Sequence, residues 1–93
     1  MPYKDKRFNP SLLPIARQKI GDYIKLRRQD LKLSQEDLSK MAGLRRATIS
    51  QVENGEPYHI DTLLAILGSL KVHLELSDLP IDHIPGFDKP TDN

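Results

Sequence analysis

The residues best equipped for chemistry lie close together in the stretch RRATISQVENG. Arg45, Arg46, Thr48, Ser50 and Gln51 supply guanidinium, hydroxyl and amide groups, while Ile49 and Val52 form an apolar stripe between them. On a helix, this pattern gives one polar edge for recognition and one apolar edge for a core. Polar groups of this kind suit the major groove of DNA. Arg46 is the leading base reader, because a guanidinium can bond guanine O6 and N7 together. Arg45, at the helix start, reads a base or clamps a phosphate. Ala47 is small enough to meet a thymine methyl or simply to pack. Ser50 and Gln51, one turn on, suit bases or phosphates, and Thr48 suits the DNA backbone.

Two helices and a turn must position these groups. Ser34 is a good N-cap, with Asp37 three residues on in a near capping-box pattern, and Glu36 and Asp37 suit a helix N-terminus. The helix they open runs to about residue 42, with Leu38 and Met41 turned inward. Gly43 permits a sharp turn through positive φ, and Leu44 seats that turn on the core. The polar helix is expected over 45–53, ended by Asn54-Gly55 and blocked by Glu56-Pro57. Upstream, 15–31 reads as a helix in which Ile20, Ile24 and Leu31 share a face and Arg27 and Arg28 are exposed. Gly21 weakens that helix by about 1 kcal/mol relative to Ala. Downstream, a largely buried helix is expected near 60–70 through Ile60, Leu63, Leu64, Ile66, Leu67 and Leu70, with His59 as a weak N-cap.

The period then changes. Val72, Leu74 and Leu76 alternate with Lys71, His73, Glu75 and Ser77, which reads as a strand over 71–77. One strand is not stable alone, and the sequence offers no second. Its simplest partner is the same strand of another copy, paired about a two-fold axis, so Val72, Leu74 and Leu76 are the expected dimerisation residues. Residues 1–14, with three prolines and three basic residues, read as an extended arm. Residues 78–93 form a Pro-rich acidic tail in which Leu79, Ile81, Ile84 and Phe87 recur. The tail either packs on its own domain or orders on a partner.

Composition bounds the alternatives. The 93 residues suffice for one domain spanning 15–77, small enough to gain from dimerisation. There is no Cys, hence no disulfide and no thiolate metal site. Residues 15–60 carry nine Lys/Arg against six Asp/Glu, which suits nucleic acid as a partner. His59, His73 and His83 are scattered without metal-ligand spacing, the glycines are isolated, and Ser34 and Ser50 lack a triad-like setting. The expectation is therefore no catalytic residue, no metal, no cofactor and no enzyme. The apolar run 63–67 is too short for a bilayer and no signal-peptide pattern follows Met1, which with the absence of Cys suits a cytoplasmic protein.

Residues 34–55 resemble the helix-turn-helix of the Xre/Cro repressor class. The likeness runs through Gln35, Leu38, Gly43, Leu44, Ile49, Val52 and the closing Glu53-Asn54-Gly55, with Ser39 where the class usually has Ala. The resemblance implies an all-α, five-helix-like bundle of the lambda-repressor type. It implies too that Gln35, with Ser34 beside it, bonds a phosphate and braces the recognition helix. Arg27, Arg28 and Lys40 are further phosphate candidates or plain solvated surface. Within the class, RRATISQVENG followed by DTLLAILGSLKVHLELSD resembles HipB-type antitoxins, whose strands pair across a homodimer. That likeness implies a bacterial, nucleoid-associated repressor of its own toxin–antitoxin operon, acting on a palindromic operator and neutralising a HipA-like serine/threonine kinase. Phage-type repressors share most of the motif, so the alternative is a stand-alone regulator without a toxin.

Overall fold

The computed structural model describes residues 9–75. Asn9 accepts a hydrogen bond from the Ser11 N–H at 3.0 Å and opens a 3-10 turn, Pro10–Leu12, that runs directly into α1, Leu13–Asp30. The lead-in expected to be extended through residue 14 is therefore helical from Pro10. Prolines are accommodated in a first turn, where a missing N–H removes nothing the helix uses. Residues 1–8 of the expected arm lie outside the described residues.

Three shorter helices follow: α2, Gln35–Ala42; α3, Arg46–Glu53; and α4, Ile60–Ser69. The described residues thus hold four α-helices and a 3-10 turn, against an expected five-helix-like bundle. The capping box of α2 forms in full: Ser34 Oγ accepts from the Asp37 N–H and Asp37 Oδ2 from the Ser34 N–H, both at 2.9 Å. The backbone and hydroxyl bonds from Ser34 hold the Asp37 carboxyl below the usual carboxylate range. His59, at the N-cap of α4, makes no side-chain capping bond.

All four α-helices end in the same way. The chain passes through a left-handed residue: Lys32 (φ +63°), Gly43 (+69°), Gly55 (+79°) and Lys71 (+61°). The next N–H then reaches back five residues, Leu33 to the Arg28 carbonyl, Leu44 to Ser39, Glu56 to Gln51 and Val72 to Leu67, at 2.9–3.0 Å. This is the Schellman motif, in which an apolar residue after the left-handed position commonly packs back on the helix. Leu33, Leu44 and Val72 do so, lying half-buried on the core. All four helix ends were legible to within a residue or so, but the positive φ of Lys32 and Lys71 was not, because a lysine rarely adopts it.

The core consists of Ile24, Leu38, Ile49, Val52, Leu63, Ile66, Leu67 and Leu70. Ser39 is buried beside them, its hydroxyl donating to the Glu36 carbonyl at 2.7 Å, so the small residue fits where the class usually has Ala. Met41, expected inside, is 52% exposed. A two-turn helix offers only a narrow stripe, filled here by Leu38 and Ser39, and Leu44 comes in beyond the turn. On α4, Ile60 and Leu64 are exposed although expected to be buried. They form a second stripe, four residues apart, beside the core stripe of Leu63, Ile66, Leu67 and Leu70. A shallow apolar groove of about 270 Å³ runs between α1 and α4, lined by Ile20, Tyr23, Leu63, Leu67, Val72 and Leu74 beside Lys19. Residues 72–75 leave the bundle without regular secondary structure; Leu76, Ser77 and the tail lie outside the described residues.

Gly21 is where α1 meets α3. It is buried in mid-helix, and a Cβ there would lie 2.5 Å from the Val52 carbonyl oxygen and 2.6 Å from that of Glu53. Backbone atoms cannot swing aside as a side-chain tip can. Helix propensity alone would make Gly21→Ala stabilising by about 1 kcal/mol. The contact reverses the sign: Gly21→Ala is expected to destabilise by roughly 1–3 kcal/mol, seen as a lower urea midpoint at unchanged slope.

Candidate nucleic-acid interface

The interface is assembled around a buried charge. Ile24 and Arg28 are four residues apart on α1, as are Ile49 and Glu53 on α3, so both charges extend core-facing stripes. They meet as a two-pronged ion pair: Arg28 Nε donates to Glu53 Oε2 at 2.7 Å and Nη2 to Oε1 at 3.1 Å. Nη1 donates to the Leu33 carbonyl at 2.8 Å, and Gln35 Nε2 to Glu53 Oε1 at 3.1 Å. The side chains are 9% and 3% exposed, and no buried polar side-chain atom among the described residues lacks a partner. One node thus ties α1, the loop after it, the start of α2 and the end of α3.

Arg28 was expected on the surface as a phosphate candidate; the structure corrects this, because its charge is spent on Glu53. Arg27 is also largely committed, its Nε donating to the Leu70 carbonyl at 3.2 Å with its side chain 33% exposed. Lys40 remains exposed. Sequence reasoning missed Glu53 as a functional support and treated it only as part of a helix end. The available signal was an acid and a base each four residues beyond a buried isoleucine.

With its apolar stripe and Glu53 fixed inward, α3 turns its other edge out. Arg45 is the N-cap in extended conformation, and its side chain makes no capping bond. Arg45, Arg46, Ala47 and Gln51 are exposed; Thr48 and Ser50 are half-covered. Ser50 Oγ accepts a long bond of 3.4 Å from Asn54. Among the described residues, the ion pairs are Arg28–Glu53 and Arg27–Asp30, so Arg45 and Arg46 carry unneutralised charge on an open helix edge. Ser34 is exposed and Gln35 half-buried at the start of α2. All eight expected contact residues therefore lie on the two-helix unit, six of them with the first turns of α3.

The sequence profile of the helix-turn-helix family matches residues 24–76, more than half of the chain. This chain belongs to the helix-turn-helix family. Its profile is of the Xre/Cro-like type, which makes it a DNA-binding transcription regulator. No curated protein gives a significant match. No helix among the described residues is long and apolar enough to cross a membrane, and no group of three His, Asp or Glu side chains there is placed to hold a metal ion.

As a helix-turn-helix protein, the chain divides its polar groups into tethered and untethered ones. Among the described residues Arg45 and Arg46 have no ion-pair partner, whereas Gln35 is tied by one amide hydrogen to Glu53 and has a second hydrogen and an oxygen to offer. Removing one partner of the buried pair, by Arg28→Met or Glu53→Leu, is expected to cost about 3–5 kcal/mol. Replacing both together with apolar residues should cost far less than the sum, and thermal unfolding of the four-member cycle measures the difference. Arg46→Ala should leave the fold intact and relax base preference by about 1–3 kcal/mol at one position of each half-site, read from competition with base-substituted duplexes.

Proposed function

We propose that this regulator binds a palindromic operator as a homodimer, with half-sites about one helical turn apart, and represses its own operon. The supporting observation is the open Arg45–Arg46 edge of α3, held in place from behind by the buried Arg28–Glu53 pair. In this reading Arg46 reads a base, Arg45 reads a base or a phosphate, and Ala47, Thr48, Ser50 and Gln51 complete the helix contacts. Ser34 and Gln35 hold a phosphate at the start of α2, where free N–H groups favour an anion.

The homodimer reading draws on the strand pattern of Val72, Leu74 and Leu76 and on the apolar groove that Val72 and Leu74 help to line. The antitoxin role, with a HipA-like serine/threonine kinase as the neutralised partner, draws on the resemblance of residues 45–55 and 61–78 to HipB-type proteins. The protein in this role acts in the cytoplasm, without a cofactor or catalysis of its own.

Titration of the chain's own promoter fragment tests the DNA reading. A protein making six or more phosphate contacts should lose about 1,000-fold in affinity between 50 and 200 mM salt. Affinity that stays flat would remove the repressor reading. Pull-down from the host with and without residues 78–93 tests the second half: capture of a kinase-like protein supports the antitoxin, and DNA binding without such a partner supports the stand-alone regulator.

A further inference from the structure

Arg27 is the less obvious of the two adjacent arginines on α1. Its Nε donates across the bundle to the carbonyl of Leu70, the buried residue that closes α4. A cation there meets the negative end of the α4 dipole and satisfies an acceptor that the helix itself leaves open. The Schellman bonds at this helix end use the carbonyls of Leu67 and Gly68, so Leu70 is left to α1.

The position of that carbonyl matters more than its count. The Leu70 oxygen belongs to the rigid peptide plane joining Leu70 to Lys71. Lys71 is the left-handed residue, at φ +61°, through which the chain turns out of the bundle. A non-glycine residue has reason to leave that conformation unless its surroundings hold it. Arg27 grips the plane on one side of this pivot, and Val72, half-buried on the core, grips the chain on the other. Together they fix the direction in which residues 72–75 depart.

We infer that Arg27 is a positioning residue for operator geometry: by holding the Leu70–Lys71 peptide plane, it sets the exit angle of the pairing segment and hence the half-site spacing that two copies accept. The inference rests on the homodimer reading. Arg27 lies on α1, outside the recognition helix that carries the proposed base readers, so its loss should alter spacing while leaving the half-site sequence unchanged.

Selection from a random-sequence DNA duplex library, with the full chain, tests this directly. The wild type should recover paired half-sites at one spacing. Arg27→Ala should recover the same half-site sequence, with preference for that spacing over its neighbours reduced about tenfold, as expected for loss of one charge-assisted bond. Arg27→Lys, which keeps the cation but not the Nε donor, should broaden spacing to a smaller degree; it carries the test if circular dichroism shows the alanine variant unfolded. An unchanged single spacing in a folded variant overturns the inference, as does a changed half-site sequence. Recovery of isolated half-sites by the wild type overturns the homodimer reading itself, which separates that failure from the first.

Discussion

Everything in this domain that faces outward is organised by one pair of charges that faces inward. Arg28 and Glu53 are removed from water at a cost that their attraction alone recovers only with good geometry. Here the geometry is two-pronged, and the remaining polar capacity goes to the Leu33 carbonyl and the Gln35 amide. Such a pair is weak evidence for high stability and good evidence for a fixed arrangement. It sits under the last turn of α3, so that helix is anchored at the end opposite to its exposed arginines.

The first helix is the common frame. Although it contributes only Ile24 to the fully apolar core, it sends polar side chains to the ends of its neighbours. Arg17 Nε donates to the Gly55 carbonyl at 2.9 Å and Gln18 Nε2 to that of Glu53 at 3.3 Å, both at the end of α3, while Arg27 reaches the Leu70 carbonyl at the end of α4. Carbonyls at helix C-termini have no partner within their own helix, and cations there are favoured by the dipole. A long helix bearing arginines at suitable intervals can therefore bind short helices through their least satisfied groups. This suits a chain whose α2 and α3 are too short to be stable alone.

Much of this was legible in the sequence, for reasons that can be named. The capping box at Ser34–Asp37 and the left-handed glycines at 43 and 55 are local, and local rules placed α2 and α3 within a residue. The polar edge of α3 followed from helical periodicity over the same short span. What escaped was non-local. Arg28 and Glu53 look like surface charges until α1 and α3 are laid together, and the isoleucine four residues before each does not say that they pair across 25 residues. Arg27 was misplaced for the same reason. Met41, Ile60 and Leu64 show the opposite error, since apolar character does not say which side of a short helix the core will occupy. The helical start at Pro10 rested on Asn9, a cap that the three prolines of the segment obscured.

The contact at Gly21 bears on how such a protein can adapt to its target. At Gly21 itself, α1 meets the last turn of α3 backbone against backbone, with no side chain to repack at that point. At this contact α1 and α3 are therefore held as one body. In the proposed reading, fit to a given duplex then comes from the long, exposed arginine side chains or from the DNA, whose groove width and bendability vary with sequence. A stiff reader senses those mechanical differences as energy. Discrimination among sites would then extend to base pairs that no side chain touches.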